Sequence, residues 1–90
     1  MRVDKAEDII WRRIGDEVVI IKDDGLGTHV LNKTAAHVWE MYDGKRGLDE
    51  IAAAVCERFD AGLEEASEDV RELTDTLIKK RLLNEVQESR

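Results

Sequence analysis

The most reactive side chains in this sequence are one cysteine and two histidines. A cysteine nucleophile needs a neighbouring base, and the base needs a group that orients it. Cys56 is the only cysteine, and His29 and His37 are the possible bases. Neither histidine has a carboxylate at a spacing that would orient it, and Cys56 falls on the apolar stripe of a predicted helix, where free cysteines are commonly buried. The sequence therefore predicts a core cysteine and no catalytic site.

The sequence also gives no indication of a metal site or of a phosphate-binding loop. One cysteine and two histidines are too few for a typical zinc site, and a single cysteine cannot form an internal disulfide. Gly25 and Gly27 are not followed by a helix start with Lys and Ser or Thr, which a phosphate-binding glycine loop requires. We therefore expect no metal and no cofactor.

The charge balance argues against a nucleic-acid partner. The chain carries 14 basic and 21 acidic residues, a formal charge of −7, whereas phosphate binding relies on a basic face. Between Glu64 and Asp75 the predicted third helix has six acidic residues and one basic residue, Arg71. A helix of this composition would repel a phosphate backbone.

Membrane and secretion signals are also missing from the pattern. No apolar run approaches the ~20 residues that span a bilayer. The first ten residues, MRVDKAEDII, lack the apolar core of a secretion signal. We expect a cytoplasmic protein, and the length and lack of proline favour a single domain over residues 1–90. Residues 1–8 and 85–90 are expected to be flexible.

Three segments in the first third of the chain are predicted to be strands. They are Ile9–Ile14, Glu17–Asp23 and Thr28–Leu31, separated by a two-residue loop and a looser glycine-containing turn. Short loops predict an antiparallel meander with Thr28–Leu31 at an edge. The run Val18–Ile21 is β-branched on both faces, which suits a strand that is covered on both sides or that touches a partner with one face.

Three helices are predicted to follow the strands. Asn32 is a suitable N-cap for the first helix, whose apolar stripe includes an inward-facing Trp39 and which ends at Asp43-Gly44. The second helix spans Leu48–Phe59, and the third runs from Glu64 or Ser67 to Lys80. Strands followed by helices predict an α+β fold with a three-stranded antiparallel sheet at the N-terminus.

The predicted edge strand suggests a different function, the binding of an extended peptide. The outer backbone groups of an edge strand are unpaired, and a peptide can add to them as a further strand. Every open sheet has edges, however, and most are merely protected. The strand alone therefore leaves open a peptide site, an ordinary edge, and pairing with a second copy.

A set of short motifs carries a resemblance to a known family. The motifs, in order, are Leu31-Asn32-x-Thr34-Ala35, Val38-Trp39, Asp43-Gly44, Glu50-Ile51, Arg58-Phe59, Asp69-Val70 and Leu82-Leu83. In this order and spacing the chain resembles the PqqD family from about Val18 onward. The resemblance implies a winged-helix-like arrangement and a RiPP recognition element, a small chaperone that binds the leader of a ribosomally made precursor peptide.

The resemblance also implies where the leader binds. The peptide would pair with the third strand and lie in a groove walled by the third helix. The backbone contacts would come from Thr28, His29, Val30 and Leu31. The groove wall would come from some members of the apolar stripe of the third helix: Val70, Leu73, Thr74, Leu77 and Ile78. The sequence does not separate the stripe residues that line a groove from those that face the core.

The function implied is that of a non-catalytic adaptor that presents a precursor peptide to a modifying enzyme. By analogy with pyrroloquinoline quinone biosynthesis, that enzyme would be a radical S-adenosylmethionine enzyme. The alternative is a protein–protein interaction or dimerisation module without a leader ligand. The chain would accordingly be a monomer or a weak or strand-exchanged dimer.

Two residues depart from the pattern usual in the family. Gly47 stands where Ser or Thr would form a capping box with Glu50, which costs a few tenths of a kcal/mol. Arg81 stands where Gly usually ends the third helix, and a non-glycine residue in a left-handed conformation costs about 1 kcal/mol. Together they leave the subfamily open.

Overall fold

A computed structural model describes residues 2–22 and 27–86 of the chain, which contain six strands and three helices. In chain order they are β1 (Arg2–Lys5), β2 (Ile9–Ile14), β3 (Glu17–Lys22), β4 (Thr28–Leu31), α1 (Lys33–Met41), β5 (Asp43–Gly47), α2 (Leu48–Phe59), α3 (Leu63–Lys79) and β6 (Leu83–Glu85). Antiparallel strands thus precede three helices, which confirms the α+β fold class. Of the predicted turn between β3 and β4, only Gly27 lies within the described residues.

The predicted meander is present as a three-stranded sheet. β2, β3 and β4 make an antiparallel sheet with β3 in the centre, so that β4 lies at an edge. The β2–β3 hairpin closes at Ile14 opposite Glu17, around a loop in which Gly15 has a φ of +61°. Glycine adopts this left-handed conformation without a steric penalty. The pair of Leu31 and Val18 joins β4 to β3, and both side chains are buried.

A second sheet, which the sequence did not predict, joins distant parts of the chain. β1 lies between β5 and β6 and pairs antiparallel with both. Residues 1–8 were expected to be flexible, but Arg2–Lys5 is a strand and Val3 is only 1% exposed. Glu85 likewise belongs to β6, and the Val86 N–H donates to the Arg2 carbonyl at 2.9 Å. The remaining residues of the predicted flexible tail, 87–90, lie outside the described part.

Lys5 fastens this second sheet to α1. Its Nζ donates to the Tyr42 carbonyl at 2.8 Å and lies 5.4 Å and 5.6 Å from the ring centroids of Trp11 and Trp39. Partial burial lowers the pKa of the Lys5 amine, although the nearby Asp4 carboxylate acts in the opposite direction. The aromatic faces favour a cation at this position. Strand β1 is therefore held in place by the Lys5 side chain as well as by its pairing with β5 and β6.

The predicted helix α1 is confirmed, and it lies at the centre of the core. The Asn32 side-chain oxygen accepts from the Ala35 N–H at 2.9 Å, so Asn32 is the N-cap. Trp39 is fully buried and packs edge-on against Trp11 and Tyr42, with ring centroids 6.0 Å and 6.2 Å away. Gly44 has a φ of +77°, but it lies within β5, because the helix already ends at Met41 and its C-cap, Tyr42, has extended backbone. The Asn32 cap and the apolar stripe thus stabilise a helix that begins directly after β4 and packs in the core.

The ends of α2 and α3 show how the two departures from the family pattern are accommodated. The Gly47 N–H still donates to a Glu50 carboxylate oxygen at 3.4 Å, which is one half of a capping box. Arg81 has a φ of +62°, and its N–H donates to the Ile78 carbonyl at 2.9 Å. The next N–H, that of Leu82, donates to the Leu77 carbonyl at 2.9 Å. These two bonds form a Schellman motif, with Arg81 in the position that glycine usually occupies.

Candidate functional site

The free edge of β4 and the apolar stripe of α3 are the two features from which the sequence predicts a peptide groove. Among the described strands β4 pairs only with β3, so its other side offers unpaired backbone groups. A depression directly beyond the end of β4 is lined by Asn32 and by Leu73 of α3. Another depression is lined by Lys22 at the end of β3, by Ile78 of α3 and by residues of β6. Neither depression includes a residue of β4 itself.

The side chains of β4 alternate between the two faces of the sheet. Thr28 and Val30 point to the outer face, and Val30 is 58% exposed. His29 and Leu31 point to the inner face, where Leu31 is buried and His29 is partly buried. A peptide added to this edge would continue the same alternation, because side chains of neighbouring strands share faces in register. Every second peptide residue would then point to the inner face of the sheet, where β3 and β4 contact α1.

The structure divides the five predicted wall residues of α3 into two groups. Val70, Thr74 and Leu77 are buried in the core. Leu73 and Ile78 are only partly buried and line the two depressions. Val70 also lines the depression beside Leu73, so the stripe contributes Val70, Leu73 and Ile78 to the two depressions, while Thr74 and Leu77 lie only in the core.

Thr74 holds α3 against α1 through a buried polar contact. Its Oγ1 lies 2.8 Å from the Tyr42 hydroxyl and donates to the Val70 carbonyl at 2.7 Å. Burial raises the pKa of Tyr42 to about 12 despite this hydrogen bond. Because a buried hydroxyl without a partner is costly, this contact favours one position of α3 relative to the end of α1.

The depression beside Leu73 is the more apolar of the two. It has a volume of about 340 Å³, and its floor includes Ala35 and Val38 of α1 and Val55 of α2. These three residues were not predicted as site residues, although they lie on the apolar stripes of their helices. Asp69 stands at the rim of the depression. Such a site suits an aliphatic or aromatic side chain, with room for one polar neighbour.

The residues considered for catalysis are placed in structural roles. Cys56 is partly buried and packs against the core. The ring of His37 packs edge-on against Phe59, with centroids 5.5 Å apart, and burial lowers the pKa of His37, helped by the Arg58 charge. His29 lies on β4 and is partly buried on the inner face of the sheet. Within residues 2–22 and 27–86, no cluster of His, Cys, Asp and Glu has the arrangement of a metal site, and no helix is long and apolar enough to cross a membrane.

Comparison with known proteins places this fold in a family. The model of the family described as Coenzyme PQQ synthesis protein D (PqqD) matches residues 17–83, which include β3, β4 and all three helices. The chain belongs to the PqqD family. The predicted resemblance is thereby confirmed, and the free edge of β4 and the depression beside Leu73 lie within the part that matches the PqqD model.

Relatives and solved structures agree with this membership. The PqqA binding protein of Xanthomonas axonopodis pv. citri (strain 306) is 39% identical over 83 residues, which are 92% of this chain and 79% of that protein. The structure of TbiB1 in complex with the TbiA(beta) leader peptide superposes with a TM-score of 0.84 at 20% identity, over 94% of this chain and 99% of that one. Lasso peptide synthetase B1 complexed with the leader peptide gives 0.83 at 14% identity, over 93% and 99%. At these identities the two structures show the same fold.

Proposed function

We propose that this chain is a single-domain, non-catalytic adaptor that binds the leader of a ribosomally synthesised precursor peptide. The observation that carries the proposal is the free β4 edge, which leads at Asn32 into an apolar depression lined by Leu73 and Val70 of α3. Two facts about similar proteins support it. A family relative is named for binding PqqA, and two proteins with the same fold were solved with leader peptides.

The leader would bind by strand addition. Its backbone would pair with Thr28–Leu31, which supplies affinity without regard to sequence. One apolar side chain would fill the depression beside Leu73, and another would lie near Ile78, so that these two residues select the peptide. Val70 lines the same depression as Leu73 and would contact the same peptide side chain, whereas Thr74 and Leu77 would act from within the core by holding α3 in place.

The adaptor would act by positioning its peptide for a modifying enzyme. Holding the leader on a partner of the enzyme makes the reaction of the core peptide effectively intramolecular, at local concentrations in the millimolar range for short flexible tethers. We propose a radical S-adenosylmethionine enzyme as that partner, by analogy with the pathway for which the family is named. The chain itself would supply binding and no reacting group, either as a monomer or as a weak dimer.

An amide-resolved NMR titration tests the binding step. The probes are synthetic PqqA and synthetic leader peptides encoded beside the gene for this chain. We expect shifts in Thr28–Leu31 and along the α3 face that contains Leu73 and Ile78. If none of the peptides shifts these amides at high micromolar concentration, the chain is an interaction module without a leader ligand and the proposal is wrong.

A matched pair of substitutions tests the groove wall. Leu73→Glu places a charge in the apolar depression and should weaken binding of the same peptide by at least about tenfold, since each tenfold needs only about 1.4 kcal/mol. Leu63→Glu makes the same change on the same helix at an exposed leucine outside both depressions, and it should leave binding unchanged. Equal effects of the two substitutions would mean that the depression does not hold the peptide.

A further inference from the structure

Among the described residues that line the apolar depression beside Leu73, Asp69 alone is charged. The two other polar residues of the lining, Asn32 and Thr34, are neutral, and the Asn32 side-chain oxygen already caps α1. Asp69 is exposed, and no ion pair or side-chain hydrogen bond joins it to another described residue. Its carboxylate is therefore available to whatever enters the depression.

The helical neighbours of Asp69 do not neutralise its charge. Side chains three and four positions apart meet on a helix surface. The four such neighbours of Asp69 include no basic residue, and two of them are acidic: Glu65, Ala66, Glu72 and Leu73. Arg71 lies on another side of α3, where it lines a separate depression with Leu48 and Asp49. The rim beside Leu73 is therefore negative, and an incoming cation would reduce the repulsion between its carboxylates.

A carboxylate at the border of an apolar site affects which peptide binds. The apolar lining holds an aliphatic or aromatic side chain, and the few polar groups around it supply specificity. The Asp69 carboxylate accepts hydrogen bonds from lysine or arginine and repels aspartate or glutamate. Lysine and arginine carry their charge at the end of a long stem. They can reach the rim from one or two residues away, about 3–7 Å along an extended chain.

We propose that Asp69 is a specificity-determining residue, which selects peptides that carry lysine or arginine within two residues of the apolar side chain held beside Leu73. This inference rests on the proposed binding of a leader peptide and adds the charge that the leader needs. An exposed ion pair contributes little, so each cation should strengthen binding only about two- to fivefold. The preference should shrink in high salt, because the Debye length falls from about 8 Å at 0.15 M to about 3 Å at 1 M.

Selection from a displayed peptide library on the purified full chain tests the proposal. The probes are short peptides with one fixed leucine and random residues around it. The wild type should enrich peptides with lysine or arginine within two positions of the leucine and deplete those with aspartate or glutamate there. Asp69→Lys should reverse this preference. Asp75→Lys makes the same change at an exposed residue of α3 outside the depression, and it should keep the wild-type preference.

The affinity of one enriched peptide measures the size of the effect. Asp69→Asn keeps the shape of the side chain and removes its charge. It should weaken binding of the lysine-containing peptide about two- to fivefold and leave binding of the matched glutamine peptide unchanged. Circular dichroism melts of Asp69→Asn should show no loss of stability, because the substitution also removes like-charge contacts on α3.

The outcomes separate this inference from the proposed function. Enrichment of peptides around the fixed leucine with no preference for charge would overturn the role of Asp69 and leave the leader-binding adaptor intact. The same holds if Asp69→Lys keeps the wild-type preference or if Asp75→Lys loses it equally. A wild type that enriches no peptide overturns both the role of Asp69 and the binding of an apolar leader residue beside Leu73.

Discussion

Replacing Arg81 with glycine should make the protein more stable, although it removes a side chain and a charge. Arg81 has a φ of +62° at the end of α3, and both Schellman hydrogen bonds around it are backbone bonds that glycine can make equally well. Relief of the left-handed strain is worth about 1–2 kcal/mol. The greater conformational entropy of glycine in the unfolded chain offsets about 0.4–1 kcal/mol of this stabilisation. The expected gain in the free energy of unfolding is therefore about 0.5–1 kcal/mol.

Urea denaturation followed by far-ultraviolet circular dichroism measures this gain, and for a domain of this size it corresponds to a rise in Tm of roughly 3–6 °C. Two controls separate the backbone effect from the loss of charge. Arg81→Ala removes the charge but keeps the strain, so it should bring no gain. Lys80→Gly changes the preceding residue, whose φ of −82° suits any amino acid, and it should cost about 0.5–1 kcal/mol. If Arg81→Gly destabilises the protein as much as Lys80→Gly does, the left-handed residue is not a source of strain.

Two further predictions concern the supports of α1 and α3. Asn32→Ala removes the side-chain cap of α1 and should lower the free energy of unfolding by about 1 kcal/mol, whereas Asn32→Ser keeps a capping oxygen and should stay close to wild type in the same urea experiment. Tyr42 is the only tyrosine, so its ionisation can be followed by absorbance near 295 nm, and we expect a midpoint near the pKa of about 12. Because the unfolded chain loses this proton near pH 10 and the folded chain does not, the stability contribution is complete below pH 10 and declines as the pH rises towards 12. A midpoint near 10 in the folded protein would contradict the buried contact with Thr74.

Local elements of this fold could be predicted because the interactions that produce them lie within a few residues of each other. The Asn32 cap reaches Ala35 three residues away, the Gly15 turn joins adjacent strands, and α2 has the predicted bounds. For Arg81 the family pattern left open whether the residue tolerates a left-handed conformation or the helix ends differently, and the structure shows the left-handed conformation. Even the β4 edge follows from short loops, because a meander of three strands must leave its third strand on one side.

The second sheet was missed because nothing local indicates it. β1, β5 and β6 are three to five residues long and rich in charged side chains, so none has the alternating pattern of a half-buried strand. Their pairing joins Asp4 to Asp43 and to Asn84, residues that are distant in sequence. Such a sheet forms only after the helices have brought its strands together.

The sequence by itself determined the β2–β3–β4 meander, the three helices, the Asn32 cap, and the motifs that place the chain in the PqqD family. Only the tertiary structure decided which residues of the α3 stripe lie wholly in the core and which also line a depression, since Leu73 and Leu77 look alike as members of one stripe. A helical stripe is wider than the surface that one neighbour covers, and its exposed margin depends on where the other elements lie. The hydrogen bond between Thr74 of α3 and Tyr42 at the end of α1 favours one such arrangement here, and it joins two residues that the sequence alone does not bring into contact.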